Sequence, residues 1–274
     1  MTIDSHVHFW KYDKRKDAWI TDRMKILQQH YYPEHLQPTL KRNGIDGVVA
    51  IQTDQSELET HFLNEMAATH SFIKGVVGWV DLRKDNCAER LQYFSQYPII
   101  KGWRHIVQAE ATGFLKDEKF LAGIALLQTM GYTYDLLIYP HQLEEAADFT
   151  ARFPEQKFVL DHGAKPEIRD QKINEWKAGI RALAAHPNTC CKLSGLFTEA
   201  RWKDWRAGEF YPYLDVLVEA FGTQRLLFGS DWPVILLSGI YVQWKSLIEK
   251  YFENLPIEEM ENIMGNNAFQ FYNL

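Results

Sequence analysis

Strand-like and helix-like stretches alternate eight times along this chain, and that periodicity constrains its fold more than any other feature. Apolar runs of strand length occupy residues 3–8, 46–53, 72–82, 99–107, 132–138, 157–163, 189–195 and 225–231. Helical patterns follow over 33–43, 57–70, 85–97, 117–130, 141–152, 170–186, 209–221 and 239–252, with a last helical segment over 256–272. The first of these helices opens at Pro33 and stops at Gly44, as helix termini favour. Eight strand–helix units with no break in composition predict a closed (β/α)8 TIM barrel, one α/β domain over residues 1–274 with a C-terminal helix. An open doubly wound sheet would want a glycine-rich phosphate loop after its first strand, and none is present.

Composition narrows the function classes. Thirty basic residues against 36 acidic give a net charge of −6, with no basic block, so binding to nucleic acid or an anionic membrane is not expected. The three cysteines, Cys87, Cys190 and Cys191, form neither a disulfide framework nor a zinc-binding pattern, which suits a reducing compartment. Residues 1–20 lack the apolar core of a signal peptide and no run reaches membrane-spanning length, so a cytoplasmic protein is expected. Residues 9–32 are aromatic and charged without periodicity, and a loop of that length is expected to wall or cover a pocket.

A barrel carries its chemistry where the strands end. Reading those ends in order gives His6 and His8, Gln52, Asp81, Arg104 with His105, Asp135 with Tyr139 and His141 after it, His162, Lys192 with Ser194, and Asp231. Interior strand ends should be apolar for stability, so this concentration of polar groups points to function. Period-two alternation sets Asp4, His6 and His8 on one face, where two imidazoles can converge on a metal ion or a polarised oxygen. Asp231 ends the run Leu-Leu-Phe-Gly-Ser-Asp before Trp232-Pro233, the place for a metal ligand or a general base. An N-cap is its structural alternative. The same alternation lets only one of Asp161 and His162, and one of Arg104 and His105, face the lumen. His162 is assigned inward, with a hydrogen-bonded core histidine as the alternative. Arg104 or His105 would grip a carboxylate or polarise a carbonyl, unless it forms a rim ion pair.

These stretches together resemble the amidohydrolase superfamily, in the branch that contains sugar-lactone and pyrone-dicarboxylate lactonases. The matching segments are IDSHVHFW (3–10), KGWRHIVQ (101–108), YDLLIYPHQL (134–143), VLDHGAKP (159–166), CKLSGL (191–196), RLLFGSDWPV (225–234) and GNNAFQFY (265–272). They span nearly the whole chain in order. The resemblance implies a hydrolytic site built from His6, His8, His162 and Asp231. His6, His8 and Asp231 would be the ligands of one divalent ion, zinc foremost, that a lactonase does not always require. The chain departs from metal-dependent relatives at strand five, which ends without a histidine, and no bridging lysine is evident on strand four. A two-metal centre is therefore not expected. The implied partner is a small-molecule lactone, and a homo-oligomer is compatible with the class. Arg104, His105, Gln52, Asp81, Tyr139 and His141 are the expected substrate contacts. Only Arg104 is well placed among the arginines, so a neutral aldonolactone such as L-fuconolactone or L-rhamnonolactone is preferred. A pyrone-type dicarboxylate lactone, or the reaction of a metal-dependent decarboxylase, is the alternative.

Overall fold

A computed structural model describes all 274 residues. Eight parallel strands pair in sequence order: β1 (Ile3–Val7), β2 (Gly47–Ile51), β3 (Ile73–Gly78), β4 (Ile100–His105), β5 (Thr133–Leu136), β6 (Phe158–Leu160), β7 (Thr189–Leu193) and β8 (Leu226–Phe228). The ring is closed by main chain beyond β8. The Asp231 amide donates to the His6 carbonyl (2.9 Å) and the His8 amide to the Trp232 carbonyl (2.7 Å). The expected barrel is therefore present, with strands shorter than the apolar runs that announced them. β6 and β8 in particular stop before the polar residues that follow, because the main chain turns there.

Around the ring lie α1 (Pro33–Arg42), α2 (Glu57–Thr69), α3 (Cys87–Phe94), α4 (Glu118–Met130), α5 (Leu143–Ala151), α6 (Asn174–Ala184), the short α7 (Leu196–Glu199), α8 (Tyr211–Phe221) and α9 (Tyr241–Tyr251). The single terminal helix expected over 256–272 is instead three pieces: α10 (Ile257–Glu261), a π turn (Asn262–Asn266) and α11 (Asn267–Tyr272). No helix is long and apolar enough to cross a membrane.

The lumen is layered. Its lower floor is apolar, made by Ile3, Val49, Ile51, Val77, Val159 and Leu227, and α11 plugs it from below with Ala268, Phe271 and Tyr272. Above this floor the inward residues turn ionic, with Arg104, Asp135, Asp161 and Lys192 all buried. A separate apolar shell fills the space between strands and helices. Burying a leucine- or phenylalanine-sized side chain there contributes about 1.5–3 kcal/mol, so the outer shell carries most of the stability that tolerates a charged interior.

The loop over 9–32 divides its work. Phe9 and Tyr31 pack on Trp232 with ring centroids 5.9 and 5.1 Å away, so its aromatics brace the seam between β1 and β8. Its polar turn at Thr21–Met24 is the part that walls a cavity.

Helix α4 is seated on the loop after β3 through Gly123, where a β-carbon would come within 2.4 Å of the Leu82 carbonyl oxygen. Gly123→Ala should gain about 1 kcal/mol of helix propensity but cost about 1–3 kcal/mol or more in overpacking against backbone that no rotamer change relieves. A net destabilisation of roughly 1–2 kcal/mol is expected in urea denaturation; an unchanged or stabilised variant would show that α4 does not approach this closely.

Candidate active site

Two strand ends and two left-handed turns build the site. On β1 the pairing register shifts between Asp4 and Val7. The expectation that Asp4 shares a face with His6 and His8 fails for that reason. Asp4 turns to β8 and the helix layer, accepting from the amides of His6 (3.1 Å) and Ser230 (2.9 Å) and from the Tyr241 hydroxyl (2.8 Å). It pins the strand that carries His6 and His8 to the loop that carries Asp231.

His162 and Asp231 both have positive φ, 56° and 60°. Such backbone costs about 1–3 kcal/mol for a residue with a side chain and persists only where surrounding contacts hold it. At Asp231 the contacts are the amide bond to His6 and a carbonyl that accepts from the Ile235 amide (2.9 Å). At His162 they are the Ser194 hydroxyl on Nδ1 (2.9 Å) and Gly195, whose left-handed turn lies so close that a β-carbon would sit 2.4 Å from that nitrogen. This turn overturns the expectation that Asp161 and His162 point to opposite sides. Strand alternation has ended at Leu160, and both side chains enter the lumen.

The atoms converge closely. His6 Nε2 lies 3.2 Å from His8 Nε2, and Asp231 Oδ1 is 3.2 Å from His8 Nε2, 3.8 Å from His6 Nε2 and 4.0 Å from His162 Nε2. His8 Nδ1 is 2.8 Å from the Ile51 carbonyl oxygen, which can only accept, so that nitrogen carries the proton and Nε2 is left bare. A tetrahedral ion with Zn–N bonds of about 2.0–2.1 Å sets neighbouring donor atoms roughly 3.3 Å apart. Two of the separations among the His6, His8 and Asp231 donors, 3.2 Å each, match that spacing and the third, 3.8 Å, is wider; these residues can hold a metal ion.

Electrostatics keep His6 and His162 neutral and the carboxylate charged. Burial pushes His6 well below its ordinary value, more than Asp161 restores, and pushes His162 down to about 4 against the pull of Asp231. Burial raises Asp231, but His162, His8 and Lys165 outweigh it, so this carboxyl titrates below the usual range. Asp161 behaves similarly: burial drives it up, and Lys192, His6 and Arg104 hold it well below the carboxylate range.

The remaining expected site residues are only partly assembled. Arg104 faces the lumen, donating to Asp161 Oδ2 (2.9 Å), with NH1 3.4 Å from His6 Nε2. His105 does not. It points outward, stacked on Phe114 (4.7 Å) and paired with Glu110 (2.8 Å), because β4 alternates regularly to its end. Gln52 is buried and spent on Arg104, giving its amide to the Arg104 carbonyl (3.1 Å) and its oxygen to the guanidinium (3.2 Å). Asp81 caps its own turn by accepting from the Arg83 amide (3.1 Å). Tyr139 and His141 are exposed on the rim, stacked 6.1 Å apart.

Sequence reading passed over two rim residues. Lys165 Nζ sits 5.5 Å above the Tyr139 ring, and its charge acts on both His162 and Asp231. Glu199, on α7, is half-buried, and burial with the Asp231 charge lifts its carboxyl to about 7 against the pull of Lys165. Lys165 was legible as the last charge of the segment that bears His162; nothing in the sequence marks Glu199. A cavity of about 900 Å³ opens beside it, lined by Arg23, Met24, Glu167, Arg201 and Trp202 among others. The histidines and Asp231 are not in its walls, and Glu199 is the residue that joins cavity and cluster.

The chain belongs to the Amidohydrolase family, whose sequence profile matches residues 3–274. It is 39% identical over 289 residues to the L-fucono-1,5-lactonase of Burkholderia multivorans, covering 100% of this chain and 96% of that protein. The L-fucono-1,5-lactonase of Burkholderia ambifaria is 33% identical over 278 residues, covering 99% and 95%. A crystal structure of an amidohydrolase from Burkholderia multivorans with bound zinc superimposes with a TM-score of 0.97 at 39% identity, covering 100% of this chain and 99% of that one.

The depressed His162 value has a consequence for stability. A buried neutral histidine resists protonation that the unfolded chain accepts, so its contribution is full above pH 6.5 and is lost as pH falls towards about 4. The loss is on the order of 3 kcal/mol. In chelator, His162→Gln should therefore lose less stability than the parent between pH 7 and pH 4.5 in urea denaturation. Parallel losses in the two proteins would contradict the buried neutral state.

Proposed function

We propose that this protein hydrolyses a sugar lactone, with L-fucono-1,5-lactone and related aldonolactones as the substrate class. The observation that carries the reading is a single ionised carboxylate, Asp231, within 3.2–4.0 Å of three imidazole nitrogens at the mouth of the barrel. Full-length similarity of 39% to a lactonase supports the choice of ester ring over amide.

The chemistry follows from the proton inventory. Asp231, charged at neutral pH, takes a proton from a water as the water oxygen attacks the lactone carbonyl carbon. The carbonyl π bond becomes a C–O⁻ single bond. His162 then serves as the donor to that oxygen: in the tautomer that accepts the Ser194 hydroxyl on Nδ1, its Nε2 carries the hydrogen on the side facing Asp231. The C=O bond reforms as the bond to the ring oxygen breaks, and Asp231 returns its proton to that oxygen. Water has been added across one C–O bond, giving a hydroxy acid with no redox change. Arg104 acts indirectly, as the guanidinium that balances Asp161, not as the carbonyl-gripping group first expected.

His6, His8 and Asp231 would hold a zinc ion, as the donor spacing and the zinc-bound relative support. When bound, the ion supplies Lewis-acid polarisation and makes a water more acidic. An ester carbonyl needs less of this help than an amide. Tyr139, His141, Lys165 and Glu199 form the rim that a polyhydroxylated ring would meet, with Tyr139 and Trp202 offering apolar faces.

Asp231→Asn keeps the shape of the side chain and removes the base. It should lower kcat for L-fuconolactone by at least about 10³-fold while leaving the melting transition cooperative. Hydrolysis assayed across aldonolactones and dicarboxylic lactones tests the substrate class; turnover confined to dicarboxylates, or a fully active Asn variant, would overturn this reading.

A further inference from the structure

The molecule contains a second group of potential metal donors beneath the first. His6, Asp161 and His162 each offer one atom within 4.8 Å of the others, fully buried. Two protein cations already occupy its neighbourhood. Lys192 Nζ, with no exposure to solvent, lies 3.0 Å from Asp161 Oδ1 and 3.1 Å from His6 Nδ1, and it also pairs with Asp135. Arg104 NH1 takes the other Asp161 oxygen at 2.9 Å and stands 3.4 Å from His6 Nε2.

We propose that Lys192, seconded by Arg104, limits this centre to one divalent ion by occupying with a built-in ammonium the place where a second ion would bind. The inference rests on the zinc reading given above and extends it from ion identity to ion number. Two buried cations, Lys192 and Arg104, balance two buried carboxylates, Asp135 and Asp161, so this layer is neutral as it stands. A second divalent ion would bring two further charges into this fully buried layer against an ammonium about 3 Å from the donors. Asp161 Oδ1, moreover, accepts no well-directed hydrogen bond although it is buried. That oxygen has Lys192 Nζ at 3.0 Å and His6 Nδ1 at 3.2 Å beside it, so removal of the lysine leaves it facing a donor atom of the second group. Asp135 is itself fixed from below by the Tyr272 hydroxyl at 2.8 Å, which ties the ammonium's position to α11.

The geometry gives Lys192 a role that its sequence position does not announce. It is a positioning residue: it touches His6, not substrate, and its effect is on how many ions the site accepts and how tightly.

The test is metal stoichiometry measured apart from catalysis. The full-length protein is stripped with chelator, dialysed to equilibrium against buffered excess zinc, and its metal content is counted, with Co2+ absorption as a second readout of coordination. Lys192→Met removes the charge at similar volume. Because it strands Asp135, the charge-balanced pair Lys192→Met with Asp135→Asn is measured beside it, each checked for a cooperative melt. One zinc per parent chain and two per chain in the balanced variant are expected, the second at least tenfold tighter than any further zinc on the parent. Two zinc ions on the parent, or one on a folded balanced variant, would overturn the proposal. A parent that takes up no zinc would instead remove the zinc reading itself, and the limit on ion number with it.

Discussion

Two main-chain hydrogen bonds across the seam between the last strand and the first decide where His6, His8 and Asp231 meet. The Asp231 amide on the His6 carbonyl and the His8 amide on the Trp232 carbonyl lock residues separated by more than 220 positions into one register. Once that register is set, Asp231 has no choice but to present its carboxylate to the imidazoles, and its left-handed backbone is the cost of doing so. Asp4 reinforces the seam from behind by bonding amides on both sides of it. Phe9 and Tyr31 brace it from outside through Trp232.

Below the seam, burial does most of the electrostatic work. Taking His6 and His162 out of water removes their protons at neutral pH, which is what makes them donors of lone pairs or neutral hydrogen bonds instead of cations. The carboxylates survive the same burial only where cations stand against them. Asp161 has Lys192 and Arg104; at Asp231, His162 and His8 stand beside the carboxylate and Lys165 supplies the cation. The interior thus sorts itself into an apolar floor, a balanced ionic layer and a reactive rim, each resting on the one beneath.

The barrel was legible because its signal is spread over the whole chain: eight apolar runs and the helices between them each repeat the same pattern. The convergence of His6, His8, His162 and Asp231 was legible because they end those runs. What escaped were departures from ideal strands. Alternation misplaced Asp4, since β1 slips its register there, and misplaced Asp161, since the chain leaves β6 after Leu160, three residues before the end of the run read as its strand. Gln52 was read as a substrate contact because its position is right, but its hydrogen bonds are used up on Arg104. Alternation did limit Arg104 and His105 to one inward residue; that it is Arg104 required the structure. Glu199 enters from a short helix in a loop, where no periodicity exists to point to it.

The central claim is that Asp231, ionised at neutral pH in the free enzyme, and not a titrating imidazole, drives water onto the lactone. The pH dependence of kcat/KM for L-fucono-1,5-lactone tests it most directly, because that profile reports the ionisations of the free enzyme. With Asp231 held below the usual carboxylate range and His6 and His162 neutral, kcat/KM should stay flat from pH 7 down to about pH 5. An acid limb near the ordinary histidine value of about 6.5 that persists in Glu199→Gln, whose own carboxyl lies at about 7, would show that an imidazole is the base and would contradict the account.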